Sequence, residues 1–129
     1  MINANVHTTN KLFPIDLGDM AIRLVEISDL DRYCNILMSK EFNKYLINPF
    51  NKCFKLQDLK DIIRKRVLSY HLEAYDIGEY RVLLTQKATN EILGCCTIYF
   101  SEDNMEISYY VLPVHRKKGL AFKMITEIL

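Results

Sequence analysis

A chain of 129 residues has room for one domain. Half of its residues are hydrophobic and 26% are charged, which excludes a disordered or fibrous chain and fits a globular domain with a core. The formal net charge of +1 provides no global field for nucleic acid, anionic membranes or acidic partners, so electrostatic recognition has to be local.

Residues 1–20 have an irregular pattern with Thr8, Thr9, Asn10, Pro14 and Gly18, and read as an N-terminal arm. Residues 21–129 read as the domain. Ala21 to Ile27 alternates apolar and polar and predicts a first strand. Ser28, with Asp31 three residues on, predicts a helix start. Leu30, Tyr33, Cys34, Leu37 and Met38 then share a helical face that ends near Ser39–Asn43. Asn48 to Asn51 reads as a loop. A second amphipathic helix is expected over residues 56–70, with Leu56, Leu59, Ile63, Val67 and Tyr70 as its stripe.

The period then changes to two. Tyr80 to Thr85, Ile92 to Phe100 and Met105 to Leu112 predict three strands, and the short polar links between them make antiparallel neighbours. A basic loop, His115 to Lys118, leads into a last helix from about Gly119, with Ala121, Met124, Ile125 and Ile128 toward the sheet. The expected class is α/β (α+β): a mixed, mainly antiparallel sheet flanked by helices.

Four cysteines, Cys34, Cys53, Cys95 and Cys96, form no CxxC pair and have no histidine at ligand spacing. They read as free thiols in a reducing, cytoplasmic compartment, with no metal. No apolar run approaches a membrane span, and the N-terminus lacks the pattern of a signal peptide.

The informative stretch is Met105 to Ala121. A strand runs into a basic turn containing Gly119, and the turn opens a helix. A helix N-terminus carries unpaired N–H groups and partial positive charge, which suits phosphate oxygens. Gly119 lets the backbone approach a ligand. Taken alone, Arg116, Lys117 and Lys118 could also be a solvated basic loop.

Here the sequence resembles the GNAT superfamily of acetyl-CoA-dependent N-acetyltransferases. Arg116-Lys117-Lys118-Gly119-Leu120-Ala121 matches that family's Arg/Gln-x-x-Gly-x-Gly/Ala pyrophosphate signature at every fixed position. The preceding Glu106-Ile107-x-Tyr109-x-Val111-x-Pro113 is similar to the branch that includes the ribosomal-protein alanine acetyltransferases. Ile22 to Asp31 resembles the first strand and helix start of that branch, and Ile92-Leu93-Gly94 the start of its third strand.

The resemblance implies acetyl-CoA as cosubstrate and an amine, a small molecule or a protein N-terminus, as acceptor, with direct attack in a ternary complex. It implies that the backbone of Lys117, Lys118, Gly119, Leu120 and Ala121 holds the pyrophosphate, aided by Arg116. It implies that Tyr110, Val111 and Leu112 pair with the pantetheine arm. Glu106 is the candidate general base, with the polar face of a half-buried strand as the alternative. Tyr109 and Tyr110 also read as sheet packing. His115 reads as an exposed loop residue, and His7 and His71 have no evident partner.

Against the family pattern, the chain stops in the third helix, before the later strands. It is therefore expected to be a C-terminally truncated domain with an uncovered edge strand. Such an edge invites a homodimer or a completing chain. A non-catalytic or partner-completed CoA-binding module is the second reading. A nucleic-acid contact through Arg116 to Lys118 ranks last, because three charges release few counterions.

Overall fold

The computed structural model describes residues 13–69, 78–101, 104–116 and 118–128. The expectations for His7, Tyr70, His71 and Lys117 lie outside the described residues. The chain divides into two compact units: Val25–Tyr70, and Met1–Leu24 together with His71–Leu129.

The second of these carries the sheet. Five strands, β1 (Ile15–Asp16), β2 (Met20–Leu24), β3 (Glu79–Gln86), β4 (Ile92–Ser101) and β5 (Asn104–Val111), lie in chain order, each antiparallel to its neighbour. The residues read as an arm thus contribute a short strand, with Ile15 opposite Ile22.

Strand alternation sorts the side chains into two faces. One face carries Ile22, Val82, Leu84, Cys96 and Ile98, all at most 2% exposed. The other carries Leu83, Arg81, Cys95 and Thr97, also buried. Because β3 is covered on both faces, it reads as a nearly continuous apolar run, Val82-Leu83-Leu84.

After β5, a 3₁₀ turn (Pro113–His115) leads to helix α5 (Leu120–Ile128), which packs back against β5. Leu120 and Met124 are buried, and Ala121, Ile125 and Ile128 are half-buried beside them. That is the stripe expected from spacing, extended by Leu120. Among the described residues, four helices precede β3 in the chain and lie in the other unit.

In that unit, α1 (Leu30–Met38), α2 (Lys40–Asn43), α3 (Phe50–Cys53) and α4 (Leu56–Ser69) follow a 3₁₀ turn at Ile27–Asp29. The helix start differs from the expected Ser28/Asp31 pair. The buried Asp29 accepts from the Glu26 N–H at 2.8 Å, and Asp31 instead pairs with Lys60 of α4. This box lies two residues upstream and shortens the predicted first strand to Leu24.

The α1 stripe Leu30, Tyr33, Cys34 and Leu37 and the α4 stripe Leu59, Ile63 and Val67 are buried, and the two helices pack together. The expected loop at 48–51 contains the start of α3, because Pro49 is extended and leads directly into Phe50. The buried Asn43 fixes this corner. Its Nδ2 donates to the Leu37 and Ser39 carbonyls at 2.8 and 2.7 Å, and its Oδ1 accepts from the Phe50 N–H at 2.7 Å.

Candidate coenzyme site

β5 is an edge of the sheet, and the basic turn follows its last residue. The hydrogen-bond phase of β5 comes from two observations. The Leu112 N–H donates to the Leu93 carbonyl at 3.0 Å, and Tyr110 lies opposite Cys95, Ser108 opposite Thr97 and Glu106 opposite Tyr99. In an antiparallel ladder, bonded pairs alternate with non-bonded ones. Even-numbered residues of β5 therefore turn their N–H and C=O toward β4. Met105, Ile107, Tyr109 and Val111 turn theirs to the open edge.

This phase decides which backbone groups can meet an extended arm. Of Tyr110, Val111 and Leu112, only Val111 directs its N–H and C=O outward, and Tyr109 is the next such residue. The Leu112 N–H is already committed to Leu93.

Gly94 sits opposite Val111 in the non-bonded register. A Cβ there would come within 2.8 Å of the Tyr110 carbonyl oxygen and 3.5 Å of the Val111 Cα. Glycine at this position lets the end of β5 lie close to β4, and so sets where the turn begins.

The turn is held on both sides. His115 is only 14% exposed at its side chain, and its Nε2 lies 2.9 Å from Glu91 of the β3–β4 link. It is thus a tethered residue rather than the exposed loop residue expected. Arg116 donates its backbone N–H to the Pro113 carbonyl at 3.3 Å and its Nε–H to the Val111 carbonyl at 2.9 Å. Its guanidinium carbon lies 5.3 Å from the centre of the Tyr110 ring. Lys118 is exposed.

Gly119 has φ +71°, a left-handed conformation that favours glycine. A Cβ on it would meet nothing within 4 Å, so the turn is open on that side. Leu120, Ala121 and Phe122 open α5, where backbone N–H groups have no intrahelical acceptor. The first turn contains no acidic residue that would repel an anion. An open glycine turn, the start of a helix, a lysine and an outward strand edge fit the diphosphate and amide-bearing arm of a CoA-type ligand. Among the described residues, no three His, Cys, Asp or Glu side chains gather as a metal would need.

Glu106 is exposed and shares its face of β5 with Ser108 and Tyr110. Across the sheet it lines up with Tyr99 and then Glu79. Sequence reading missed the pair formed by Glu79 and Arg81, 3.2 Å apart with side chains 16% and 9% exposed. Its signal was charge at i and i+2 in an otherwise apolar strand, which puts both residues on one face. The His115–Glu91 tether joins residues 24 apart, and nothing local announces it.

Comparison with known proteins bears on the family and the fold. The family model described as "Acetyltransferase (GNAT) domain" matches residues 19–129. No curated protein matches the sequence. Among solved structures, the ribosomal-protein-S5-alanine acetyltransferase of Vibrio fischeri superposes with a TM-score of 0.67 at 14% identity, over 87% of this chain and 62% of that one. The ribosomal L7/L12 alpha-N-protein acetyltransferase RimL, in complex with coenzyme A, gives 0.68 at 13%, over 89% and 64%. FdhC, a nucleotide-linked sugar GNAT in its apo form, gives 0.61 at 17%, over 90% and 63%. The chain spans under two thirds of the length of each, and at these identities the likeness is one of fold.

Proposed function

Because the chain belongs to the GNAT acetyltransferase family, we propose that it transfers an acetyl group from acetyl-CoA to a primary amine. The observation that carries this reading is the sequence of strand edge, open turn at Gly119 and helix start at Leu120. A diphosphate meets the amides around Gly119, Leu120 and Ala121, with Lys117 and Lys118 adding charge. An amide-bearing arm lies along the Val111 edge beside Tyr110 and Leu112. Arg116 supports the turn.

Glu106 acts as general base. Directly or through water, it takes a proton from the acceptor ammonium; the amine attacks the thioester carbonyl, the C–S bond breaks, and the thiolate leaves and takes up a proton. The acceptor class extends to protein N-termini by analogy with two of the neighbours, and FdhC shows that this fold also occurs in a nucleotide-linked sugar GNAT. The buried free thiols of Cys34, Cys95 and Cys96 support a reducing, cytoplasmic setting.

Acetyl-CoA should raise the melting temperature of the protein. Gly119→Asp should abolish the shift, and should also lower the unliganded stability by about 1 kcal/mol because its side chain sits at positive φ. A Gly119→Asp protein that still shifts would remove the turn from the coenzyme site.

The outward groups of Met105, Ile107, Tyr109 and Val111 favour a second reading, a CoA-binding module that pairs with another chain along β5. Binding of acetyl-CoA without thiol release on addition of amines would select it.

A further inference from the structure

We propose that Arg116 is a positioning residue whose Nε–H latches the turn to the last carbonyl of β5, and that its positive charge is not what the coenzyme site uses. The inference rests on the acetyl-CoA reading above and deepens it. The Val111 carbonyl belongs to the outward set of β5, and Arg116 Nε reaches it at 2.9 Å over an interval of five residues. The backbone N–H of the same residue closes the 3₁₀ turn on Pro113 at 3.3 Å. Backbone and side chain of Arg116 are therefore both engaged within the turn. The guanidinium carbon lies over Tyr110, so the side chain runs back along β5.

A ligand with an arm and a diphosphate must meet two places at once: the edge at Val111 and the amides beside Gly119. The Arg116–Val111 bond fixes the spacing between them. The Val111 carbonyl has a second lone pair and its N–H points outward, so the latch leaves the edge able to pair.

The donor is a single atom, three carbons along the side chain from Cα. Glutamine places its Nε2 at the same point without charge. Lysine keeps the charge but has a carbon there. The two substitutions separate the two roles.

The test is CoA binding by calorimetry on wild type, Arg116→Gln and Arg116→Lys. R116Q should lie within about twofold of wild type, and R116K should bind about threefold to tenfold more weakly, the worth of one hydrogen bond. Raising salt should weaken wild type and R116Q in parallel. R116K binding as tightly as R116Q, or more tightly, would overturn the latch while leaving the coenzyme reading intact. Loss of affinity in both variants alike would overturn it too. If wild type gives no heat with CoA, the coenzyme reading fails and the positioning role fails with it. The bond itself is still readable in the free protein: a sharp Arg116 Nε–H nitrogen-15 signal at neutral pH is expected, and its absence would refute the latch.

Discussion

At the scale of the residue, the candidate site turns on where single atoms point. Glu106 stands on β5 with an exposed side chain, one face-step from Ser108. Glu106→Gln removes the proton acceptor and keeps the shape. It should lower turnover at neutral pH by about a hundredfold or more while the Kd for CoA stays put, which steady-state kinetics beside calorimetry will read. Unaltered turnover would return Glu106 to the polar face of a strand. The turn at Gly119 and the helix start at Leu120 were legible because their signals are local: a glycine followed by a helical stripe suffices. The direction of the Arg116 side chain was not legible, since it depends on which backbone groups of β5 face outward, and that is set by pairing with β4. Asn43 was equally opaque. It looked like the frayed end of a helix, yet it ties the Leu37, Ser39 and Phe50 backbones together.

At the scale of the element, periodicity identified the three long strands and the stripes of α1, α4 and α5. It failed where a non-local bond overrode a local preference. Ser28 and Asp31 make an acceptable helix start, but burial of Asp29 beside the Glu26 N–H and Arg32 fixes the start earlier. β1 has two residues, too few to show a period, and depends on Ile22 and Ala21 for its existence. The phase assigned to β5 can be checked by proline substitution. Ile107→Pro removes an N–H that faces the open edge, whereas Ser108→Pro removes one that faces Thr97. S108P should therefore destabilise the protein by on the order of 1 kcal/mol more than I107P, as read by urea unfolding. Equal costs would contradict the alternation. In sedimentation, I107P should also weaken any self-association along β5.

At the scale of the whole molecule, the thiols make stability depend on alkaline pH. Burial raises Cys95 and Cys96 from 9.0 to about 12. The folded protein holds these protons more tightly than the unfolded chain does. Their contribution is complete below pH 9.0 and is lost as pH rises toward about 12, so chemical-denaturation midpoints should fall across that window. Replacing both cysteines with alanine should flatten the fall, and a midpoint independent of pH in the wild type would contradict it. Fold class was readable because burial on both faces of β3 and on one face of α1, α4 and α5 writes itself into hydrophobic spacing. The edge carries a further consequence. Amide deuterium uptake along β5 should run in a two-residue rhythm, slow at Glu106, Ser108 and Tyr110 and fast at Ile107 and Tyr109. Whatever docks on that side, cosubstrate or protein, would reveal itself by quieting the odd-numbered beats alone.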